Sequence, residues 1–458
     1  MDTHYILNRL ALKQPVIEDY QQLFAIAKPF IMGSESEYGV GQDVDGEPML
    51  DFARLPQVLL NGGEVYHDCG HLEYASPEVS NSAGLVACYE AGKVFCHREK
   101  FSHQLFCNNN DWEGNTFAAH ENYFTKLPRS QWHRLVPLLV ARTVFAGAGW
   151  QTNTAFLISQ RALFISEVES ENTTQRRGII NTRREPLGQV EGYDRLHIIC
   201  GDATMSEVAT FMRFGIVALT LELLELNAFP NIQYDMEFAV SDFQQISRKI
   251  SDWWLKGITR GSKEALVVLD SIVLRAKELF AGRDFVTNVL LATLEDTITR
   301  LGRNPRELTG RIDWVTKLKL LELFANDADG DNPEWLKSQD MAYHDLDPET
   351  GLYWFLRDEA LPNLRMERLL SNAVIERATF EPPKDTRANA RGKIAKFLKQ
   401  TRGRMMAGGN MWNRIMVSSY HDLADREIVD VDEPTPNPFN PYPEVVERVK
   451  AKLKMAIG

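Results

Sequence analysis

Close to Gly201 the hydrophobic period of this chain changes, and that change limits the folds open to it. From Pro29 to Ile199 apolar and polar residues alternate in short runs, such as Glu64 to Asp68, Gly114 to Thr125 and Ala155 to Ser159, separated by polar, glycine-containing turns. A period of two marks strands with one buried face, so this half predicts a mostly antiparallel sheet. Two helices are expected within it, Ser80 to Glu99 and Gln131 to Ala146. Beyond Gly201 the apolar positions recur at helical spacing over Met205–Asn227, Lys263–Leu301, Trp314–Ala325 and Ala388–Lys399. The expectation is an α+β protein in which a sheet precedes a helical cover.

The ends are read in the same way. Residues 1–27 carry helically spaced Tyr5, Ile6, Leu10, Leu12, Tyr20, Leu23 and Ile26 and predict a helical lead. Asp430 to Pro443 is too proline-rich for regular structure and leads into a closing amphipathic helix, Glu444 to Ala456. The expected division is a large domain over 1–402 and a small C-terminal domain over 403–458.

Charge narrows the partners. Sixty-three acidic against 51 basic residues leave −12, which opposes general binding to nucleic acid or to an anionic membrane, because both need a concentrated basic field. The apolar run Phe214 to Leu226 is interrupted by Glu222 and Glu225, so no membrane span is expected. Five cysteines, an odd number without a CxxC pair, predict free thiols in a reducing cytoplasm.

Two stretches concentrate chemistry. In Met32-Gly33-Ser34-Glu35-Ser36-Glu37-Tyr38-Gly39, a strand projects Glu35 and Glu37 from one face, within reach of one or two hard cations such as Mg²⁺ or Mn²⁺. A solvated edge strand accounts for the pair equally well when it is taken alone. In Asn61 to Tyr74, Tyr66 and Asp68 share a face, and a kink or bulge at Cys69-Gly70 would bring His71 and Glu73 to a common face as well. Three glutamates and an aspartate make an oxygen-rich cation site with one base to spare. His120-Glu121 is no zinc-protease motif, since Phe124 stands where the second histidine would be. No cysteine pair has zinc-ligand spacing.

Arginines follow at Arg161, at Arg176-Arg177 and Arg183, at Arg195, and at Arg387 and Arg391. Guanidiniums beside a carboxylate-held metal are what a triphosphate requires. No Walker A or GxGxxG loop is present, so a nucleotide must be held by the sheet.

Taken in order, MGSESEYG, NGGEVYHDCGHLEYASPE, NNNDWEGNTFAAHENY, ISQRA, IINTRREP, RLHIICGDATMSE, IDWVTKLKLLE, AYHDLD and DTRANARG resemble the family of Pup ligases and Pup deamidases/depupylases, relatives of glutamine synthetase and glutamate-cysteine ligase. The tail from Trp412 to Ser419 and the closing helix resemble the family's small C-terminal domain more weakly. The resemblance implies a twisted antiparallel sheet forming an open cradle for Mg-ATP, backed by helices. It implies that Glu35, Glu37, Tyr66 and Glu73 hold the metal, and that His197 belongs to the metal and nucleotide site. Arg161, Arg183, Arg387 and Arg391 would contact phosphates or a substrate carboxylate. Asp68 stands at the family's catalytic aspartate. The implied partners are a small protein tag or peptide ending in Glu or Gln, and an amine or lysine-bearing acceptor.

Two branches share that site. In one, ATP activates a carboxylate as an acyl phosphate and an amine is joined to it; in the other, an amide or isopeptide is hydrolysed. Only Val40 to Leu60 separate the first two glutamate-bearing segments, too short for the depupylase loop, which favours the ligase direction. Against this, Asp68-Cys69-Gly70-His71 has the two-residue spacing of depupylases, and RRGIINTR and DTRANARG lean the same way. Leu72 before Glu73, where proline is usual, and Arg184 after INTR, where an acid is common, imply a changed tag.

Overall fold

The computed structural model describes residues 3–41, 50, 55–102, 104–117, 119–184, 190, 192–326, 332–358, 363–400, 414–419 and 429–457. Its strands are β1 (Met32–Val40), β2 (Gln57–Val58), β3 (Glu64–Asp68), β4 (His71–Ala75), β5 (Leu105–Phe106), β6 (Ala119–Thr125), β7 (Trp150–Gln151), β8 (Phe156–Leu157), β9 (Ile165–Ser170), β10 (Arg177–Asn181), β11 (Asp194–Ile198), β12 (Arg414–Ser419) and β13 (Val429–Pro434). One nine-stranded sheet runs β2-β3-β4-β1-β6-β11-β10-β9, with β5 paired to β1. All its pairings are antiparallel except β9 with β10.

Strand β1 shows why the sheet has a working face. Met32, Ser34, Ser36 and Tyr38 are buried, whereas Gly33, Glu35 and Glu37 are half-buried, the alternation of a strand covered on one side. The cover is the helix Ser82–Glu99 together with the helix Glu207–Glu225. The first is capped by Asn81, which accepts from the Gly84 N–H at 2.9 Å. It admits the Tyr74 ring only because residue 92 is glycine: a Cβ there would lie 2.4 Å from the ring. The second is buried on every side along nearly its whole length, its buried Glu207 and Glu222 being paired with Arg368 and Arg283.

Several expected elements take a different form. The region Gln131 to Ala146 breaks into a 3₁₀ turn, Arg129–Leu135, and two short helices, Val136–Ala141 and Thr143–Ala146. Lys263 to Leu301 is two helices, Ala265–Phe280 and Phe285–Arg303, separated where Gly282 takes φ +82° and Asp284 caps the second through the Thr287 N–H at 2.8 Å. The proline-rich segment is partly regular: Val429–Pro434 pairs with Arg414–Ser419, its proline falling at the strand end, where a missing donor is harmless.

A second apolar core joins Ile394, Leu398, Ile415, Val431, Val445, Val449 and Leu453, with Val58 of β2 reaching into it. It draws in the helix Ala388–Gln400 along with the closing helix Pro443–Ile457. The expected boundary at 403 and Trp412 lie outside the described residues, as does most of Val40 to Leu60. Among the described residues no helix is long and apolar enough to cross a membrane. All five cysteines are free, and only Cys69 is exposed.

Candidate active site

The site follows from strand register. Glu37 on β1 lies opposite Glu73 on β4, which lies opposite Tyr66 on β3, so three ligand-type side chains form one row across three strands. The neighbouring row is His120 on β6, Glu35, Ala75 and Glu64. On the other side Asp68 faces His71. His197 on β11 sits opposite Asn122 of β6. These rows floor a cavity of about 440 Å³.

Cys69 and Gly70 form neither kink nor bulge. Both have positive φ, +47° and +92°, the geometry of a two-residue hairpin turn, so the chain reverses and β3 and β4 pair directly. The Gly70 N–H donates to His67 Nε2 at 3.1 Å. Asp68 therefore stands at the exposed end of a strand whose other cleft-facing residues are Tyr66 and Glu64.

Two groups of donors result, in each of which one atom per residue lies within 4.8 Å of the others: Glu37, Asp68 and Glu73, and Glu35, His120 and His197. In the second, Glu35 Oε2 lies 3.0 Å from His120 Nδ1 and 3.5 Å from His197 Nε2, and Arg195 Nη1 lies 3.7 Å from Oε1. Burial opposes the charge on Glu35, yet the hydrogen bond with His120, the close approach of the His197 imidazole and the Arg195 charge hold its pKa well below the ordinary value. Glu73 goes the other way. Burial, and then the charges of Glu35 and Glu37, push it well above the ordinary value, although the Tyr66 hydroxyl donates to Glu73 Oε1 at 2.6 Å. Burial, followed by the Glu35 and Glu73 charges, also raises the Tyr66 phenol. Burial lowers His197 to about 4, and both of its ring nitrogens are buried without a hydrogen-bond partner.

Crowded carboxylates and an orphaned neutral imidazole are the donor set of a divalent cation. Each of the two groups, Glu35 with His120 and His197 and Glu37 with Asp68 and Glu73, fits such an ion, with the Tyr66 hydroxyl bound to Glu73. The imidazole of His120 escaped the reading of the sequence because only the pairing of β6 with β1 sets it beside Glu35. The alternation of His120, Asn122 and Phe124 was the available signal.

The expected arginines divide. Arg161 is buried, donates to the Ile199 carbonyl and the Thr116 hydroxyl at 3.0 Å each, and lines the cleft. Burial, and then the Arg177 charge, lowers it to about 10. Arg183 lines the cleft as well, as do Arg177 and Arg195, which the sequence grouped among the cationic candidates and the family resemblance did not assign. Arg387 lines it while donating to Glu78 Oε1 at 2.6 Å and, through its backbone N–H, to the Pro438 carbonyl at 3.1 Å. Arg391 is buried behind the wall, donating to the Gly62 carbonyl at 3.0 Å and paired with Glu78. Glu78 thus gathers two arginines. Despite burial their charges lower it to about 2.

An open sheet with helices on one face, and acids, imidazoles and guanidiniums converging on the other, defines an α+β cradle enzyme. A family model described as Pup-ligase protein matches residues 42–415. The chain belongs to the Pup-ligase family. A depupylase of Acidothermus cellulolyticus is 34% identical over 74% of this chain and 72% of its own. A Pup–protein ligase of Acidimicrobium ferrooxidans is 33% identical over 81% of this chain and 89% of its own. Among solved structures, a complex of the prokaryotic ubiquitin-like protein Pup with its ligase PafA superposes with a TM-score of 0.77 at 26% identity, covering 94% of each chain. A Pup ligase PafA in complex with ADP gives 0.75 at 27% identity, covering 88% of this chain and 91% of that one.

Proposed function

We propose that this chain is an ATP- and Mg²⁺-dependent carboxylate-amine ligase that joins a glutamate carboxylate of a small Pup-like tag to a lysine amine, working in the reducing cytoplasm. The observation that carries the reading is the placement of Asp68. It ends β3 in the open part of the cleft, within one donor group of Glu37 and Glu73, where a base can meet an amine beside the reacting carboxylate. Relatives named as Pup–protein ligases, and a PafA structure with ADP, support it.

Chemically, a carboxylate is a poor electrophile until its oxygen becomes a leaving group. Transfer of the γ-phosphoryl from ATP gives an acyl phosphate and ADP; attack by the amine then expels phosphate and forms the amide. Divalent cations held by Glu35, His120 and His197 and by Glu37 and Glu73 would supply charge neutralisation at the phosphate oxygens. Arg161, Arg177, Arg183 and Arg195 add fixed positive charge along the cleft. Asp68 accepts the proton that the lysine nitrogen loses as the bond forms.

The hydrolytic alternative has one observation in its favour, the two-residue turn at Cys69-Gly70 together with a depupylase among the relatives. One experiment separates them. Purified protein is incubated with Mg-ATP, a lysine amine and tag peptides ending in Glu or in Gln, and the products are weighed by mass spectrometry. ADP formed in step with a conjugate lighter than its reactants by one water establishes ligation. Conversion of the Gln peptide to Glu without stoichiometric ADP refutes it in favour of the hydrolase.

A further inference from the structure

We propose that Glu64 reads the sugar of the bound nucleotide, its carboxylate accepting hydrogen bonds from the 2′- and 3′-hydroxyls. The inference rests on the nucleotide-dependent reading above. Glu64 is half-buried on the cleft face of β3 and lines the cavity, yet it makes no hydrogen bond or ion pair with any described residue. Burial raises its carboxyl to about 7 against the charge of Arg391, which is already engaged by Glu78 and by the Gly62 carbonyl. A carboxylate partly withdrawn from water and given no donor is costly, so the donors are expected from a ligand.

Position selects which part of the ligand. At about 3.3 Å per residue, the Glu64 Cα lies about 7 Å from that of Tyr66 and about 13 Å from that of Asp68. The reacting phosphoryl belongs at the Asp68 end, next to Tyr66, Glu73 and Glu37. The part of the nucleotide reaching Glu64 is therefore the part remote from the γ-phosphate. Directly across β4 stands Ala75, so only a methyl group separates Glu64 from Glu35 and its neighbours. Beyond it the wall is Ile31, Phe124 and Pro438, with Arg387 turned to Glu78. Such a wall suits a nucleoside better than phosphates. Two adjacent hydroxyls present paired donors to the two oxygens of one carboxylate, which phosphates and their cation do not.

The test is equilibrium binding by calorimetry, with Mg²⁺, of ATP, 2′-deoxy-ATP and 3′-deoxy-ATP to the wild type, Glu64→Gln and Glu64→Ala, each checked for unchanged thermal unfolding. Hydrogen bonds to the carboxylate, measured at about pH 8 so that it is ionised, predict that the wild type prefers ATP to at least one deoxy analogue by about tenfold or more. Glu64→Ala should bring the three nucleotides to within about threefold of one another, and Glu64→Gln should fall between. Equal binding of all three by the wild type overturns the proposal while leaving the ligase reading intact. So does discrimination that survives in Glu64→Ala. Absence of nucleotide binding by the wild type overturns both.

Discussion

Replacing Glu78 by glutamine tests whether the wall of the cleft is held by charge. The half-buried carboxylate sits between Arg387 and Arg391, and its pKa falls from the ordinary 4.5 to about 2 although withdrawal from water alone would raise it. That displacement corresponds to about 3 kcal/mol of differential stabilisation of the ionised form. It is an upper bound for the group as a whole, because burial also lowers the Arg391 guanidinium. Removing one partner of a buried pair strands the others, and such losses run to about 3–5 kcal/mol. Glu78→Gln is therefore expected to lose about 3 kcal/mol at pH 7, measured by denaturant unfolding. The sign with pH follows from the depressed pKa: the contribution is complete above about 4.5 and is lost as pH falls from there towards about 2. The gap between wild type and variant should accordingly shrink when the measurement is repeated below pH 4.5. A variant within about 0.5 kcal/mol of wild type at pH 7 would refute the charge-held wall.

Three further outcomes are expected. Asp68→Asn should lower turnover by about 10²–10⁴-fold or more while the dissociation constant for Mg-nucleotide stays put, since general-base contributions are of that size; an active variant sinks the role of Asp68. Glu35→Gln and Glu37→Gln should instead weaken Mg²⁺-dependent nucleotide binding, seen by calorimetry with and without the metal, and unchanged binding would remove both from the cation site. Gly62→Ala should destabilise the chain by about 1–3 kcal/mol, because φ is +83° there and the added Cβ would lie 2.4 Å from the Ala388 carbonyl oxygen; a thermal unfolding midpoint equal to that of wild type would contradict this.

Where the sequence was informative, the information was local. Period-two alternation places Glu35 and Glu37 on one face of β1 whatever β1 pairs with. Helical stripes after Gly201 likewise depend only on near neighbours, although the break at Ala281 to Asp284 needed the turn residues to be weighed above the stripe. The hairpin at Cys69-Gly70 carried a turn signal that a bulge also satisfies; positive φ at both residues decides between them. What stayed hidden depends on distant pairing. His120 meets Glu35 across 85 residues of sequence, and Arg391 meets Glu78 across 313. No local pattern separates an arginine that faces a phosphate from one that props a wall.

The tight turn between β3 and β4 makes the cleft a matter of counting. Tyr66 faces Glu73, and Asp68 faces His71, because two residues and no more connect the strands. One residue added there without a compensating bulge would slide the pairing by a step, swinging Glu73 into the helical cover and the buried Leu72 into the cleft. Loop length at this single corner thus works as a gear setting for the whole reaction centre. Any relative with a longer corner must have found another way to bring its phenol and its acid back into mesh.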